Sequence, residues 1–275
     1  MIKEELVSII MPTYNSASVV EESINSILAQ TYQNWELIIT DDNSTDDTRL
    51  ILQRYANEHK RIKYFFLYQN SGAGYCRNNS IKHARGRYIA FCDSDDCWIP
   101  EKLERQIRFM NDKKCCLCYS SYYTIDEKSK ITGVVKVPEK LTFKQLKHDN
   151  KIGCLTAIYD TSRLGKFYMP PIRKRQDWAM FLSIMKKCKV AYGITDELAY
   201  YRILDNSISR NKSRLLKYNA EVYSSMFNYS KVKSWLYLYC VFMPHYMVKQ
   251  MKIRHHSRKL LRKIGKHNKK NINNK

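Results

Sequence analysis

Tyr88-Ile89-Ala90-Phe91-Cys92 runs without a break into Asp93-Ser94-Asp95-Asp96. The apolar run has the length and composition of a strand covered on both faces, and it delivers three carboxylates at its carboxyl end. Trp35–Thr40 (WELIIT) does the same for Asp41 and Asp42. Like charges this close raise one another's pKa unless a cation lies between them. In a chain otherwise rich in Lys and Arg, acids gathered at strand ends imply a divalent metal and a phosphorylated ligand, hence an enzyme.

Outward from these two runs, strand and helix patterns alternate. LVSIIM (6–11) is a continuous apolar strand. Ser18-x-x-Glu21 carries a capping-box signature, and Val20, Ile24, Ile27 and Leu28 share one helical face behind it. Ser44-x-x-Asp47 opens a second helix running to about Glu58, IKYFFL (62–67) makes a third strand, and NSGAGYCRN turns into a helix ending near Ala84. A helix follows Pro100, and CCLCYS (115–120) reads as a buried strand rather than a zinc site, since no second cysteine pair or histidine cluster stands at zinc spacing. This alternation predicts an α/β fold with a doubly wound, mostly parallel sheet flanked by helices. Ligands of such sheets bind beyond the carboxyl ends of the strands, at a topological switch point. Asp41-Asp42, the Asn70–Arg77 loop and Asp93–Asp96 all fall there. Farther on, Asp177 lies near the start of a helical stretch, and the aromatic run at 235–243 is expected to stop at Pro244.

The chain has 275 residues, 44% of them hydrophobic, and a net charge of +22. That length suits one α/β domain plus an appendage. Residues 1–100 hold 10 basic and 13 acidic side chains, residues 101–221 hold 25 and 13, and beyond Glu221 there are 13 basic residues and no acid. The acidic chemistry sits at the front and the tail is a polycation. The odd count of nine cysteines and an opening (MIKEELVSIIMP) that enters a strand at once suggest reduced thiols and a cytoplasmic setting.

Taken in order, VSIIMPTYN, WELIITDDNSTDDT, NSGAGYCRN, GRYIAFCDSDDCW and RQDW resemble family 2 glycosyltransferases, the inverting enzymes of the GT-A fold. The resemblance covers roughly the first 110 residues and returns around 175–210. It implies that Pro12, Thr13 and Tyr14 line a nucleotide base and that Asp42 accepts a hydrogen bond from the pyrimidine. It also implies that Asn70 and Arg77 belong to a loop suited to binding ribose or phosphate. It implies that Asp95 contacts ribose and metal, that Asp96 ligates Mn²⁺ or Mg²⁺, and that Asp177 is the general base. Arg202, in a Tyr200-Tyr201-Arg202 segment followed by Asn206–Ser209, is implied as a phosphate contact. Beside these stand blander readings: Asp41 and Asn43 as helix caps, DSDD as a solvated turn, Arg77 as a brace for Asp42 or Asp95, and Asp177 as a helix cap or a partner of Arg173–Arg175. Ala179 after Trp178 replaces an acid that many relatives carry, and the Q-x-x-R-W string of processive synthases is missing, which favours transfer of one sugar per encounter.

The division expected is a GT-A domain over 1–212, with a nucleotide-binding half (1–110) and an acceptor-binding half (111–212), then a helical basic extension over 213–275. Met247, Met251, Leu260, Leu261 and Ile264 form a broken apolar stripe among the tail's cations, suited to an anionic membrane surface, with a docking helix followed by a disordered basic end as the plainer reading. The implied partners are a nucleotide-sugar, most simply UDP-linked, and a glycan or polyprenyl-diphosphate-linked acceptor of bacterial surface polysaccharide (O-antigen or capsule). The implied location is the inner face of the cell membrane. No nucleic-acid partner is expected, since no base-reading motif accompanies the charge. A nucleotidyltransferase and a non-catalytic basic binding protein remain as alternatives, the first disfavoured because MPTYN stands where a glycine-rich basic loop belongs.

Overall fold

The computed structural model describes residues 5–204 and 212–273. Strands β1 (Val7–Thr13), β2 (Trp35–Asp41), β3 (Ile62–Phe66) and β4 (Tyr88–Phe91) alternate with helices α1 (Val20–Leu28), α2 (Thr48–Glu58) and α3 (Ala73–His83). The short β5 (Cys97–Trp98) and helix α4 (Lys102–Lys113) follow, then β6 (Leu117–Ile125), β7 (Ile131–Val135), β8 (Lys140–Thr142) and α5 (Phe143–His148). Next come β9 (Ile158–Asp160), α6 (Thr161–Leu164), α7 (Gln176–Cys188) and the long β10 (Val190–Arg202). Helices α8 (Lys212–Phe227), α9 (Lys231–Tyr237) and α10 (Met243–Asn273) close the chain.

The strands form one sheet in the order β3-β2-β1-β4-β9-β6-β10-β5, with β7 beside β6 and β8 beside β10. Strands β3, β2, β1 and β4 are mutually parallel, and β9 runs antiparallel between β4 and β6. The chain winds outward from β1 to β3 on one side and returns through β4 on the other. The switch point therefore lies between β1 and β4, and a crevice opens at their carboxyl ends.

Every residue of β1 and β2 is buried, because helices cover both faces of the sheet. Val7, Ile9 and Met11 face α1, α2 and α4, whereas Ile10 joins Ile38 and Phe91 against α3 and α7. That second layer also takes Val222, Tyr223, Leu238 and Phe242, which pack on Trp178. Residues beyond 212 thus share the core of the helix that carries Asp177.

Two local expectations are corrected. Helix α1 begins at Val20 with Val19 at its cap and no side-chain capping bond, so Ser18-x-x-Glu21 is not a capping box; the complete box is Thr142–Gln145 at α5. Pro244 does not end the aromatic helix either. A π-helical turn over Leu238–Phe242 leads directly into α10. Widening the turn relieves the clash between a proline ring and the carbonyl four residues back.

Candidate active site

The carboxyl ends of β1, β2 and β4 open into a cleft of about 2610 Å³ whose lining includes Pro12, Thr13, Tyr14, Asp42, Asn70, Arg77, Asp93, Asp95, Asp96 and Asp177. Residues up to 165 positions apart are brought to one wall because each terminates a strand or opens a helix on the same sheet edge.

The end of the cleft beside β2 is built by division of labour between adjacent acids. Asp41 organises its own turn: it accepts from the Ser44 amide at 3.0 Å, from Thr13 Oγ1 at 3.2 Å and from Arg49 Nε at 2.8 Å. It caps no helix. Asp42 reaches across to the next loop and accepts from the amides of Ser71 (2.6 Å) and Gly72 (2.8 Å), while Asn70 Nδ2 donates to its carbonyl at 3.2 Å. Gly72 sits at φ +89°, a conformation that favours glycine, and there the loop turns into α3. Tyr14, half exposed, stands at the rim.

At the acidic end, Arg77 donates to Asp93 Oδ1 at 2.6 Å, and its Nε is buried without a partner. Burial opposes the charge on Arg77, yet Asp93 beside it, with Asp177 beyond, raises its pKa. Arg77 therefore braces Asp93, rather than Asp42 or Asp95. Burial and then the charge of Asp93 push the Asp95 carboxyl up to about 6. Burial and then the charges of Asp95 and Asp93 hold Asp96 well above the usual carboxylate range. Crowded, under-compensated carboxylates are an all-oxygen donor set of the kind a hard divalent cation takes. Among the described residues, no three His, Cys, Asp or Glu side chains converge as a complete cage. Two carboxylates that share a cation with substrate phosphates and water need none.

Arg202 requires correction. Its side chain is 1% exposed and does not line the cleft. Its Nε donates to the Asp95 carbonyl at 3.0 Å, its Nη1 to the Asp126 carbonyl at 3.2 Å and Ser129 Oγ at 2.9 Å, and its Nη2 to Glu22. Its backbone amide donates to Asp96 Oδ1 at 3.0 Å. With Nη2 also donating to Cys97 Sγ at 3.9 Å, the guanidinium holds the acidic loop from behind and has no donor left for a diphosphate. Asn206–Ser209, expected to work with it, lie outside the described residues.

Asp177 occupies the first turn of α7, behind Arg175, which adopts a left-handed backbone (φ +64°). Its Oδ2 accepts from Asn150 Nδ2 at 3.3 Å. It makes no capping bond, and no ion pair joins it to Arg173–Arg175 among the described residues. Gln176 packs on Gly74, where an added Cβ would lie 2.3 Å from Gln176 Nε2, so the first turn of α3 and the Asp177 helix touch through a glycine. Asn150 and Gly74 were not singled out from sequence. The first is one polar loop residue among many, and the second matters only through a residue 102 positions away.

Residues 8–162 match the model of "Glycosyl transferase family 2". The chain belongs to that family. It is 42% identical over 219 residues to a protein of Bacillus subtilis named as a teichuronic acid biosynthesis glycosyltransferase, TuaG, covering 79% of this chain and 87% of that one. It is 41% identical over 213 residues to an Escherichia coli enzyme, WfgD, named as a UDP-Glc:alpha-D-GlcNAc-diphosphoundecaprenol beta-1,3-glucosyltransferase, covering 77% and 83%. Among solved structures, S. aureus TarS 1–349 in complex with UDP-GlcNAc superposes with a TM-score of 0.68 at 22% identity, over 88% of this chain and 72% of that one. A mannosyltransferase from Pyrobaculum calidifontis with GDP-Man and Mn²⁺ gives 0.63 at 17% identity, over 90% and 74%. The fold is GT-A, and this family 2 member is an inverting glycosyltransferase.

Proposed function

We propose that this enzyme moves one sugar from a UDP-sugar to a lipid-linked glycan of bacterial surface polysaccharide, with Asp177 as general base. The observation that carries the reading is the meeting of Asp42, Asp93–Asp96 and Asp177 in one cleft. Pro12, Thr13 and Tyr14 flank the base. Asp42 keeps oxygen lone pairs beyond the two amides it accepts, enough for a ring N–H. Asp95, less buried than Asp96, presents its carboxylate to the cleft, and Asp96 lies beneath it, oriented by the Arg202 amide. Bound there, Mn²⁺ or Mg²⁺ would offset the charge that develops on the departing diphosphate.

Inversion requires the acceptor oxygen to approach opposite the leaving group. Asp177 takes the hydroxyl proton as the new bond forms, and Asn150 holds one of its oxygens so that the other faces the acceptor. Such assistance is worth about 10²–10⁴-fold. A UDP donor and a diphosphoundecaprenol acceptor are what WfgD is named for, and that relative matches most of the chain.

The C-terminal helices suit attachment to an anionic membrane face. Trp235, Leu236, Tyr239, Met247, Met251 and Leu261 are exposed beside the basic residues of α9 and α10, and near such a surface each cation contributes about 1 kcal/mol. Among the described residues no helix is long and apolar enough to cross a membrane.

The test is a thermal-shift and turnover screen of nucleotide-sugars with Mn²⁺ or Mg²⁺. Stabilisation by UDP plus metal that disappears in Asp95→Ala, and transfer abolished in Asp177→Asn with donor binding intact, are expected. Indifference to every nucleotide would overturn the reading.

A further inference from the structure

The cleft does not end at Asp177. It continues past the base to a second wall formed by the 149–153 loop, the 171–175 segment and one face of α10, including Lys249, Lys252 and His256. The two ends carry opposite charge. Asp42, Asp93, Asp95 and Asp96 line the first, whereas Lys151, Arg173, Arg175 and Lys252 line the second. The acids at the second end are Asp149 and Asp177. Asp149 is already neutralised, since Lys249 Nζ donates to its Oδ1 at 2.8 Å and to the Asn150 carbonyl at 2.7 Å. No ion pair engages Lys151, Arg173, Arg175 or Lys252 among the described residues.

The cations crowd one another as well. Burial first, and then Arg175 and Lys151 nearby, work against the charge on Lys249, with Asp149 opposing them, and its pKa is lowered overall. The left-handed backbone of Arg175 is one that a residue bearing a Cβ adopts at a cost, and it places a cation one residue before the turn that carries Asp177. Four cations free of acidic partners exceed what a single carboxylate on a sugar would neutralise. They match the two to three negative charges of a phosphate ester or diphosphate.

Resting on the assignment of Asp177 as the base, we propose that this wall is the subsite for a diphosphate borne directly by the acceptor sugar, and that α10 is part of the acceptor site. The acceptor pyranose lies between Asp177 and the cationic wall. Its hydroxyl meets the base and its anomeric phosphates meet Lys151, Arg175 and Lys252. Lys249 acts through others: by holding Asp149 and the Asn150 carbonyl it fixes the loop that carries the partner of Asp177, so the same helix face positions the base and receives the anion.

The experiment uses the full chain and soluble acceptors: α-GlcNAc diphosphate bearing a short alkyl group, free α-GlcNAc 1-phosphate, and the alkyl glycoside without phosphate. Polyprenyl-diphosphate-GlcNAc in vesicles forms a fourth arm. The wild type is expected to use the short diphosphate ester at least tenfold better in kcat/KM than the alkyl glycoside. Lys151→Ala/Lys252→Ala is expected to raise KM for the ester by about tenfold or more, as loss of hydrogen bonds to charged groups does. The donor KM should stay within twofold, and the ester's advantage over the alkyl glycoside should vanish. Lys60→Ala/Lys113→Ala removes equal charge from exposed positions outside the cleft and should change neither KM.

Activity on the free 1-phosphate comparable with the ester would identify a soluble sugar phosphate as the source. A requirement for the diphosphate ester, shared by the vesicle substrate, would identify the lipid carrier. Equal use of the alkyl glycoside by the wild type, or a variant defect in donor KM instead, overturns the subsite. A uronic acid glycoside that is used as well as the diphosphate ester and loses its advantage in the same variant does so too. Failure to hydrolyse or transfer from any nucleotide-sugar would fall on the glycosyl-transfer reading, since the variants leave the donor end untouched.

Discussion

Replacing Arg202 by alanine separates two accounts of the same residue. As a phosphate contact, its loss would weaken donor turnover and spare the fold. As a buried latch, its loss releases the Asp95 carbonyl, the Asp126 carbonyl and Ser129, and leaves Glu22 with Ser129 Oγ but no cation. Breaking a buried charged network by removing one member costs about 3–5 kcal/mol. Glu22 is 48% exposed and water will solvate it, which places the expected loss near the lower figure, about 3 kcal/mol. For a chain of this size, about 2–4 °C of Tm goes with each kcal/mol, so a fall of roughly 6–12 °C is expected. Arg202→Lys should recover little, because one ammonium cannot reproduce contacts spread over three guanidinium nitrogens. Differential scanning calorimetry on metal-free protein reads this directly, and UDP–metal titration should show weakened binding, because Asp95 and Asp96 lose their backing. An unchanged Tm together with a large drop in donor kcat/KM would refute the latch and restore the phosphate role.

Three further outcomes follow from the same geometry. Asp95→Asn should stabilise the metal-free protein, by relieving repulsion with Asp93 and Asp96, while abolishing the Tm gain that Mn²⁺ gives the wild type; a variant still stabilised by Mn²⁺ would move the metal elsewhere. Asn150→Ala should lower kcat about tenfold with donor KM unchanged, as loss of a hydrogen bond to a charged group does, and a pure stability loss would reduce Asn150 to loop structure. Lys102 is fully buried against Trp98 and Gln106, and burial lowers its pKa to about 7. Between that value and its ordinary 10.5 the unfolded chain binds a proton that the folded chain does not, so Lys102 makes stability rise with pH through this window. Urea unfolding of Lys102→Met at pH 7 and pH 9 should show a smaller rise than the wild type, and an identical rise in both would place the titration elsewhere.

The front half of this fold was legible because its strands are covered on both faces. VSIIM, WELIIT and YIAF read as buried strands from their length, their β-branched and aromatic content and the turn residues around them, and parallel winding then brings Asp41-Asp42 and Asp93–Asp96 onto one edge. The second half hides its logic in contacts that no local pattern encodes. Arg202 resembles a ligand residue by position, and only the bonds that its guanidinium and amide make to the Asp95–Asp96 loop, the Asp126–Ser129 turn and Glu22 on α1 assign it inward. Pro244 reads as a helix stop, yet a π-helical turn before it removes the clash that would have stopped the chain. Counted along the sequence, the C-terminal cations form a single basic tail, suited to an anionic membrane or to a docked helix. In three dimensions α10 has two faces: Met247 and Met251 point to solvent, while Lys249 and Lys252 line the cleft beyond Asp177. Charge counted by sequence position records how many cations there are, but the pitch of a helix decides which can meet an anion in the cleft. A truncation that removes α10 should therefore abolish transfer even to an acceptor that never touches a membrane.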